Sequence, residues 1–543
     1  MFAVLHMPAR GSALAWFFLP PPGYEHLHSH RAMHYLADLV AQEGVCAIRL
    51  DYPGIGNSTD ELSNQSSLAN WRRDVQSAID LISHDYAFDR KVLFTMGISS
   101  SMFSGLSGIH AHIKWVPEER PRAYVRRQKV IGGMSRSAES ESTGYTDVAG
   151  FRFNDQLFNE IARHATTEDE SVVVIQPGVE PTAELFDGDG LEGVLVEPHH
   201  GQLPKLTAEA VLEICRTQRA EHNQSAASQE QTKVMDSVQH ASYSEKASFV
   251  GKHALFTVHT KANDCTASDL LVVIANAGSN YNIGPHRMYV ELSRTLAAAG
   301  CDSVRFDLRQ IGNSVQYDME NENKPHCLSA IDDVRDICQW AQQSHHYQKF
   351  VLMGLCSGGH TALHATLELA SQFKIVDCVM LNPLTFDFSE DLPLDVSIEL
   401  NPVQAAAYYR RTAKDPDAWF RLLSGKISLL PLVSYTWSRS RQILANIARG
   451  VGESLGVVPR PALDEKLNSL RKQGVRLSLV HATADPGLDL YLHAGGRLAK
   501  RLLRSGYVRY LPIVGGDHTF TDLTDREAAI AHVCDLFHSN WSR

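Results

Sequence analysis

The chain has 543 residues, of which 44% are hydrophobic and 21% charged, and its formal net charge is −11. These values are typical of a globular protein with more than one core, and the negative charge gives no electrostatic reason to bind nucleic acid or an anionic membrane. The basic stretch 120–129 is short, and we interpret it as a solvated face.

Two stretches of the chain repeat one plan. In residues 29–58 a helical pattern ends at Gly44 and leads to an apolar strand and a turn, and residues 285–314 repeat this order with Gly300. Such a pattern is typical of a βαβ unit. It predicts an α/β fold with two tandem domains, each a mostly parallel sheet flanked by helices, with active groups at the carboxyl ends of the strands.

In the first half, an apolar strand at 92–94 leads to the turn Gly97-Ile98-Ser99-Ser100-Ser101. Later apolar runs lead to Glu180 and His200, so a triad of Ser99, His200 and Glu180 is one interpretation. The other is a degenerate docking or structural domain. It is favoured by Ser101, which replaces an expected glycine, and by three prolines at 20–22 that lack N–H donors.

The domain limits follow from composition. Residues 1–218 form the smaller predicted domain, and 219–248 are rich in Gln, Ser, Ala, Glu and His with little apolar periodicity, which predicts a linker. The second predicted domain covers 249–543. Its aromatic segment 385–469 is predicted to be a helical lid that reads substrate shape, or alternatively a structural insertion.

The pentapeptide Gly354-Leu355-Cys356-Ser357-Gly358 has the form of a nucleophile elbow, a sharp strand-to-helix turn that needs small residues on both sides. The residue at its centre is a thiol, Cys356, which predicts covalent acyl chemistry on sulfur. A lone buried cysteine is usually only a small core residue. The glycine-flanked turn, and the acid and histidine that follow later strands, favour catalysis.

Two further apolar strands lead to Asp485 and His518. They follow Cys356 in the order acid then histidine, which predicts His518 as the base and Asp485 as the carboxylate that orients it. Asp485 could instead cap a helix, in which case Asp489 or Asp517 would be the orienting acid.

An oxyanion needs backbone N–H donors from the residue after the nucleophile and from a loop after an early strand. Ser357 supplies the first predicted donor. The strand at 270–274 runs into Asn276-Ala277-Gly278, so the second is Ala277 or Gly278.

Together these motifs resemble the α/β-hydrolase superfamily, in particular its serine-aminopeptidase-like branch in bacterial biosynthetic clusters, over most of residues 249–543. The motifs are Asn276-Ala277-Gly278, Gly284-Pro285-His286-Arg287, Arg305-Phe306-Asp307, Ile311-Gly312-Asn313-Ser314, the Cys356 pentapeptide and Leu381-Asn382-Pro383. The first half resembles smaller hydrolases found beside exosortase and polysaccharide clusters, partly through Gly150-Phe151-Arg152-Phe153.

Members with a cysteine at the elbow resemble aminoacyl shuttles that move thioester-bound acyl groups between carrier proteins. The resemblance implies a thioesterase or an acyl or aminoacyl transferase in a biosynthetic pathway, acting on a small acyl substrate or a carrier-protein-bound thioester. Since dienelactone-hydrolase-like enzymes also carry cysteine elbows, an esterase or lactone hydrolase is the alternative. A largely non-catalytic scaffold that binds carrier proteins is another.

No cofactor or metal is predicted. The nine cysteines are scattered without a Cys-x-x-Cys pair, the histidine pairs lack metal-ligand spacing, and the glycine-containing turns lack a phosphate-loop or dinucleotide pattern. No export signal or membrane anchor is visible, so we expect a cytoplasmic protein with reduced thiols that binds neither membrane nor nucleic acid.

Overall fold

The computed structural model describes residues 1–59, 67–118, 120–135, 144–164, 171–221, 237–263, 269–314, 322–386 and 462–541. The chain divides into two compact units. The first unit comprises Met1–Val238 and Ile283–Val290, and the second comprises Gln239–Asn282 and Glu291–Arg543.

The first unit is built on a seven-stranded sheet in the order β1-β3-β2-β4-β5-β8-β9, in which only the β1–β3 pair is antiparallel. A separate antiparallel pair is formed by β6 and β7. The strands are β1 (Phe2–His6), β2 (Leu14–Leu19), β3 (Cys46–Asp51), β4 (Arg90–Met96), β5 (Ala111–Trp115), β6 (Tyr145–Val148), β7 (Phe151–Asn154), β8 (Val172–Gln176) and β9 (Leu185–Asp187). The helices are α1 (Tyr24–Gln42), α2 (Leu68–Asp85), α3 (Ser99–Met102), α4 (Pro121–Ser135), α5 (Asp155–Arg163) and α6 (Lys205–Glu221).

The second unit is built on a nine-stranded sheet in the order β10-β11-β12-β14-β13-β15-β16-β17-β18, in which the pairs from β14 to β18 are parallel. The strands are β10 (Ser237–Gln239), β11 (Tyr243–Val250), β12 (Leu255–Ala262), β13 (Leu270–Ala275), β14 (Asp302–Phe306), β15 (Lys349–Leu355), β16 (Lys374–Leu381), β17 (Arg476–Ala482) and β18 (Val508–Ile513). The helices are α7 (Met288–Ala298), α8 (Ser329–His345), α9 (Ser357–Leu369), α10 (Ala462–Lys472), α11 (Gly487–Ala494), α12 (Gly496–Arg504) and α13 (Leu523–Leu536). Short 3₁₀ turns lie at Pro285–Arg287 and Gly312–Ser314, and a π-helical turn follows at Phe537–Trp541.

The predicted α/β class is confirmed. The central strand β13, with sequence LLVVIA, is buried along its whole length, as expected for a parallel strand covered on both faces. In the first unit, Trp16 and Phe94 of adjacent parallel strands are fully buried in one apolar cluster with Leu36 of α1. The carboxyl ends of parallel strands meet at one edge of a sheet, which is where the predicted site residues of the second unit lie.

The segment predicted as a linker, 219–248, differs from the expectation. Helix α6 ends inside it at Glu221, and β10 and most of β11 also lie within it. The hydrophobic pattern of the sequence did not predict β11 because a carboxylate, Glu245, occupies a buried position in this strand. Glu245 pairs there with Arg294 and Arg305 at 2.7 and 2.8 Å. Of the predicted lid at 385–469, residues 387–461 lie outside the described part of the chain.

Candidate active site of the second unit

Cys356 occupies a sharp turn between a strand and a helix. It directly follows β15 and precedes α9, and its backbone has φ 55° and ψ −117°. This left-handed conformation is costly for a residue with a Cβ atom. It is held in place by the Cys356 N–H, which donates to the Leu381 carbonyl oxygen at 2.9 Å. The turn is therefore a nucleophile elbow in its geometry as well as its sequence.

The two glycines of the elbow are required by close backbone contacts. A Cβ atom at Gly354 would lie 2.4 Å from the carbonyl carbon of Gly358. A Cβ atom at Gly358 would lie 2.5 Å from the carbonyl oxygen of Asn276. Both distances are far inside van der Waals contact, so no larger residue fits either position without moving the backbone.

His518 and Asp485 are brought together by the loops after β18 and β17. The Nδ1 atom of His518 lies 2.6 Å from Oδ2 of Asp485, whose side chain is buried. The other carboxylate oxygen accepts a hydrogen bond from the Gly487 N–H at 2.8 Å, at the start of α11. Asp485 therefore holds the histidine and also accepts from the first N–H of α11, although the N-cap position itself is occupied by Pro486.

The other two carboxylates considered as orienting acids do not bind the imidazole. Oδ1 of Asp517 accepts from the Thr521 N–H at 2.8 Å, and Asp489 lies in the first turn of α11. Of the three candidate carboxylates, only Asp485 hydrogen-bonds the ring of His518.

The surroundings of His518 favour the protonated form of its imidazole. Burial disfavours its charged form, but the negative charge of the neighbouring Cys356 and the hydrogen bond to Asp485 outweigh it, so the pKa of His518 lies well above its usual value. Its Nε2 atom is enclosed and makes no hydrogen bond of normal geometry with the described residues. Cys356 thus lies close enough to the ring to act on it by its charge.

The predicted oxyanion donors are the backbone amides of Ser357, Ala277 and Gly278. The Gly278 N–H donates to Oγ of Ser357 at 2.7 Å, so this amide is already occupied. The amides of Ser357 and Ala277 donate to no group in the described ranges. A Cβ atom at Gly278 would meet no atom of the described residues within 4 Å. The geometry favours Ala277 over Gly278 as the second donor, a choice that the sequence left open.

Asn276 and Asp307 shape the loop that contains Ala277. Oδ1 of Asn276 accepts from the Leu308 N–H at 2.7 Å, and its Nδ2 donates to the Asn280 carbonyl oxygen at 2.8 Å. Asp307 is fully buried and accepts from the Asn282 side chain at 2.9 Å. Burial raises the pKa of Asp307 to about 6, against the hydrogen bonds that lower it.

Asn382 is a site residue to which sequence reasoning gave no role. It is fully buried with φ 40°, and its Nδ2 donates to the His518 carbonyl oxygen at 2.8 Å. Its Oδ1 accepts from the Ala482 N–H at 2.8 Å. A signal was present in the sequence, because an Asn-Pro pair directly after an apolar strand marks a strand end, and asparagine tolerates a positive φ.

Residues equivalent to the site in the first unit

Gly97 takes the place of Cys356 in the first unit. The last residue of β15 that pairs with β13 is Gly354, and the last of β4 that pairs with β2 is Thr95. Cys356 and Gly97 each stand two residues further on, with φ of 55° and 56°. The Gly97 N–H donates to the carbonyl oxygen of Trp115 in the neighbouring strand β5 at 3.1 Å. In the same way, the Cys356 N–H donates to the carbonyl oxygen of Leu381 in the neighbouring strand β16. The turn is retained without a nucleophilic side chain.

The structure does not assemble the predicted triad of Ser99, His200 and Glu180. Ser99 is fully buried, and its hydroxyl donates to the carbonyl oxygens of Leu19 and Met96, both at 2.8 Å. Glu180 and His200 are exposed. The prediction failed because it matched the hydroxyl of Ser99 to the thiol of Cys356, whereas strand register places Ser99 two residues beyond the turn.

Three side chains of the first unit, His6, His34 and Asp38, have the spacing of a metal site. The guanidinium of Arg49 donates from Nε to Nε2 of His6 at 2.9 Å. Neutral His6 therefore carries its hydrogen on Nδ1, facing Asp38, and the adjacent cation opposes a second positive charge. These residues do not fit a metal ion, and we assign none to them.

Comparison with known proteins

The second unit has a parallel sheet, a cysteine at a nucleophile elbow, and a histidine with its carboxylate on later loops, which together define an α/β enzyme of hydrolase type. Residues 272–533 match the model of the Alpha/beta hydrolase family. This part of the chain is similar to that family, and the predicted enzyme of the hydrolase class is confirmed.

Solved structures that match include dienelactone hydrolase from Anabaena variabilis, with 13% identity, a TM-score of 0.31, and coverage of 56% of this chain and 98% of that one. Est1E from Butyrivibrio proteoclasticus matches with 12% identity, a TM-score of 0.31, and coverage of 55% and 99%. Proline iminopeptidase from Mycobacterium smegmatis matches with 14% identity, a TM-score of 0.32, and coverage of 54% and 97%.

No curated protein matches the sequence. Within the described ranges, no helix combines the length and the apolar character needed to cross a bilayer.

Proposed function

We propose that the second unit transfers or hydrolyses acyl groups through a thioester on Cys356. The observation that carries this proposal is the position of His518, which hydrogen-bonds Asp485 at 2.6 Å and has its pKa raised by the charge of Cys356. A thiol on a strained elbow, beside an imidazole that a carboxylate orients, is an arrangement suited to nucleophilic catalysis.

In the first half-reaction, the Cys356 thiolate attacks the acyl carbonyl carbon, and the carbonyl electron pair moves onto oxygen. The amides of Ser357 and Ala277 stabilise this oxyanion. As it collapses, the bond to the leaving thiol or alcohol breaks, and Nε2 of His518 donates its proton to that group. The products are the acyl thioester on Cys356 and neutral His518.

In the second half-reaction, water or an acceptor thiol, amine or alcohol attacks the thioester and gives its proton to Nε2 of His518. The carbon–sulfur bond breaks, and the thiolate and imidazolium are restored. Asp485 stabilises the imidazolium in both halves through its hydrogen bond to Nδ1.

We propose a thioester as the acyl donor, either small or borne on a carrier protein. A thioester on Cys356 is close in energy to the thioester it comes from, so transfer to a second thiol is reversible. An ester or a lactone can react by the same mechanism. These substrates differ from a thioester in the leaving group, which is an alcohol instead of a thiol.

The test is to incubate the protein with an N-acetylcysteamine thioester and a p-nitrophenyl ester of the same acyl group, quench with acid, and map the adduct by mass spectrometry. We expect the acyl mass on the peptide that contains Cys356. Cys356→Ala should lose the adduct and turnover, whereas Cys534→Ala, which removes a partly exposed thiol on α13, should keep both. Full turnover by Cys356→Ala without any adduct would overturn the proposal.

Release of the trapped acyl group then distinguishes transfer from hydrolysis. A transferase is expected to lose the acyl group faster when a thiol or amine is added, while a thioesterase or esterase loses it to water alone. The ratio of turnover on thioester and oxygen ester identifies the preferred donor.

For the first unit, we propose a binding role instead of chemistry. The supporting observation is Gly97, which leaves the elbow without a nucleophile. If replacing surface residues of this unit abolished acylation of Cys356 by a small ester, an exclusively binding role would be wrong.

A further inference from the structure

A basic groove on the first unit is not used by the proposed chemistry. It lies between α4 and the end of α5 and has a volume of about 860 Å³. The groove is lined by Arg120, Pro121, Arg122, Ala123, Arg126, Arg127, Val130, Ile131, Ala162, Arg163 and His164. We call it the arginine groove.

Described residues compensate little of the charge of the arginine groove. Of its five arginines only Arg127 forms an ion pair with a described residue, at 3.1 Å from Glu118. The described residues of the lining include no carboxylate. Clustered cations repel each other, so this arrangement lowers stability unless an anion joins it. The positive charge also stands out against a chain whose net charge is −11.

Helix α4 packs through residues other than Arg122 and Arg126. Helix α4 is anchored by its other face, where Tyr124 and Gln128 are buried and the Gln128 side chain donates to Glu25 at 2.8 Å. Arg122 and Arg126, one helical turn apart, are exposed instead.

The arginine groove also contains apolar surface. Val130 is 59% exposed, which is unusual for an aliphatic side chain, and Ile131 is partly exposed beside it. At the α5 end, the Nε2 atom of His164 is enclosed and has no hydrogen-bond partner among the described residues. An apolar strip with a cationic rim is the composition of a protein-binding surface.

We propose that the arginine groove is a docking site for an acidic segment of a partner protein. Its carboxylates would pair with Arg122, Arg126 and Arg163, while apolar side chains cover Val130 and Ile131. The span from Arg122 to Ile131 is about 14 Å at the rise of an α-helix, enough for two to three turns of a bound helix. The phosphates of a nucleic acid would pair with the arginines, but they would not cover the apolar side chains of Val130 and Ile131. This inference is independent of the chemistry at Cys356.

The probe is a fluorescein-labelled peptide of about twelve residues with glutamate on one helical face and leucine on the other, followed by fluorescence polarisation with the full chain. We expect binding that weakens as salt rises from about 50 to about 200 mM. The Arg122→Glu/Arg126→Glu variant should bind at least about tenfold more weakly, and Val130→Ser about threefold more weakly.

Lys129→Glu is the matched control, because Lys129 is exposed on the same helix but does not line the groove. It should change affinity by less than about twofold. The proposal is overturned if the peptide does not bind, if Lys129→Glu weakens binding as much as the arginine variant, or if replacing the glutamates by glutamine leaves binding intact.

Competing ligands give further decisive outcomes. Tighter binding of a single-stranded oligonucleotide of equal charge, or of phosphatidylserine vesicles, would replace the proposed partner with a nucleic acid or a membrane. Glu168, Asp169 and Glu170 supply an acidic sequence within this chain. If the peptide binds only after these three are neutralised, the chain itself fills the groove and the proposal is wrong.

Discussion

The side chain of Asn382 joins the loop that carries His518 to the end of β17. Its Nδ2 donates to the His518 carbonyl oxygen, and its Oδ1 accepts from the Ala482 N–H, both at 2.8 Å. Asn382 directly follows Leu381, whose carbonyl oxygen receives the Cys356 N–H. One buried residue therefore connects the loop of His518 with the turn of Cys356.

Replacing Asn382 with alanine removes both hydrogen bonds and leaves two buried backbone groups unpaired. We expect the free energy of unfolding to fall by about 2 kcal/mol and kcat to fall about tenfold, with little change in KM. Urea unfolding and steady-state kinetics measure these effects. Asn382→Gly is the matched control, since glycine adopts the φ of 40° without strain. Full activity in the glycine variant would contradict a positioning role for the side chain.

The pKa of His518 should fall when Cys356 is replaced with alanine. Burial continues to lower the pKa in that variant, while the charge and hydrogen-bonding capacity of the thiol, which raise it, are gone. NMR titration of the imidazole Cε1–H in both proteins measures the shift. An unchanged pKa would show that the thiol does not act on the ring.

The raised pKa of His518 also predicts how stability depends on pH. A histidine whose folded pKa exceeds its unfolded pKa stabilises the protein fully below the unfolded value, and this contribution is lost as pH rises through the folded value. We expect the free energy of unfolding to decrease over that window. His518→Gln should flatten the decrease in urea unfolding at several pH values, and an identical slope in both proteins would refute the assignment.

Ser357→Ala tests the contact between the Ser357 hydroxyl and the Gly278 amide. Without this acceptor, the loop that contains Ala277 is held less firmly, and we expect kcat/KM to fall about tenfold. Ser279→Ala on the same loop is the control, because its hydroxyl makes only a long contact of 3.4 Å to Asn323. A rise in activity for Ser357→Ala would instead identify Gly278 as an oxyanion donor that the hydroxyl blocks.

Ser99→Ala should leave acyl turnover unchanged within about twofold, because the Ser99 hydroxyl hydrogen-bonds the backbone carbonyl oxygens of Leu19 and Met96. The loss of its hydrogen bonds is expected to lower the free energy of unfolding by about 1 kcal/mol. Kinetics and thermal unfolding of the same preparation separate the two effects. A large loss of turnover at normal stability would restore a catalytic role for Ser99.

The sequence was most informative where local chemistry and strand order agree. The α/β class, the elbow glycines around Cys356, and the pairing of His518 with Asp485 could all be predicted, because each depends on short motifs at strand ends. The choice between Ala277 and Gly278 depends on where the Ser357 hydroxyl points, which only the folded structure defines.

Register explains the main failure. Matching Ser99 to Cys356 relied on the presence of a hydroxyl, but the turn is set by where β4 stops pairing with β2, and that places Gly97 there. The strand β11 was missed for a related reason. Its buried Glu245 is neutralised by arginines from elsewhere in the sequence, so its polar composition hides a core position.

The position of Ser99 has a consequence for redesign. A Cβ atom at the equivalent position, Gly358, would lie 2.5 Å from the carbonyl oxygen of Asn276, whereas the first unit accommodates the Ser99 side chain, whose hydroxyl donates to the Leu19 carbonyl oxygen at 2.8 Å. Installing cysteine at Gly97 alone would therefore place a thiol on a turn that carries a serine side chain where the second unit has the closely packed Gly358. A redesign that copies the turn of the second unit would therefore combine Gly97→Cys with Ser99→Gly.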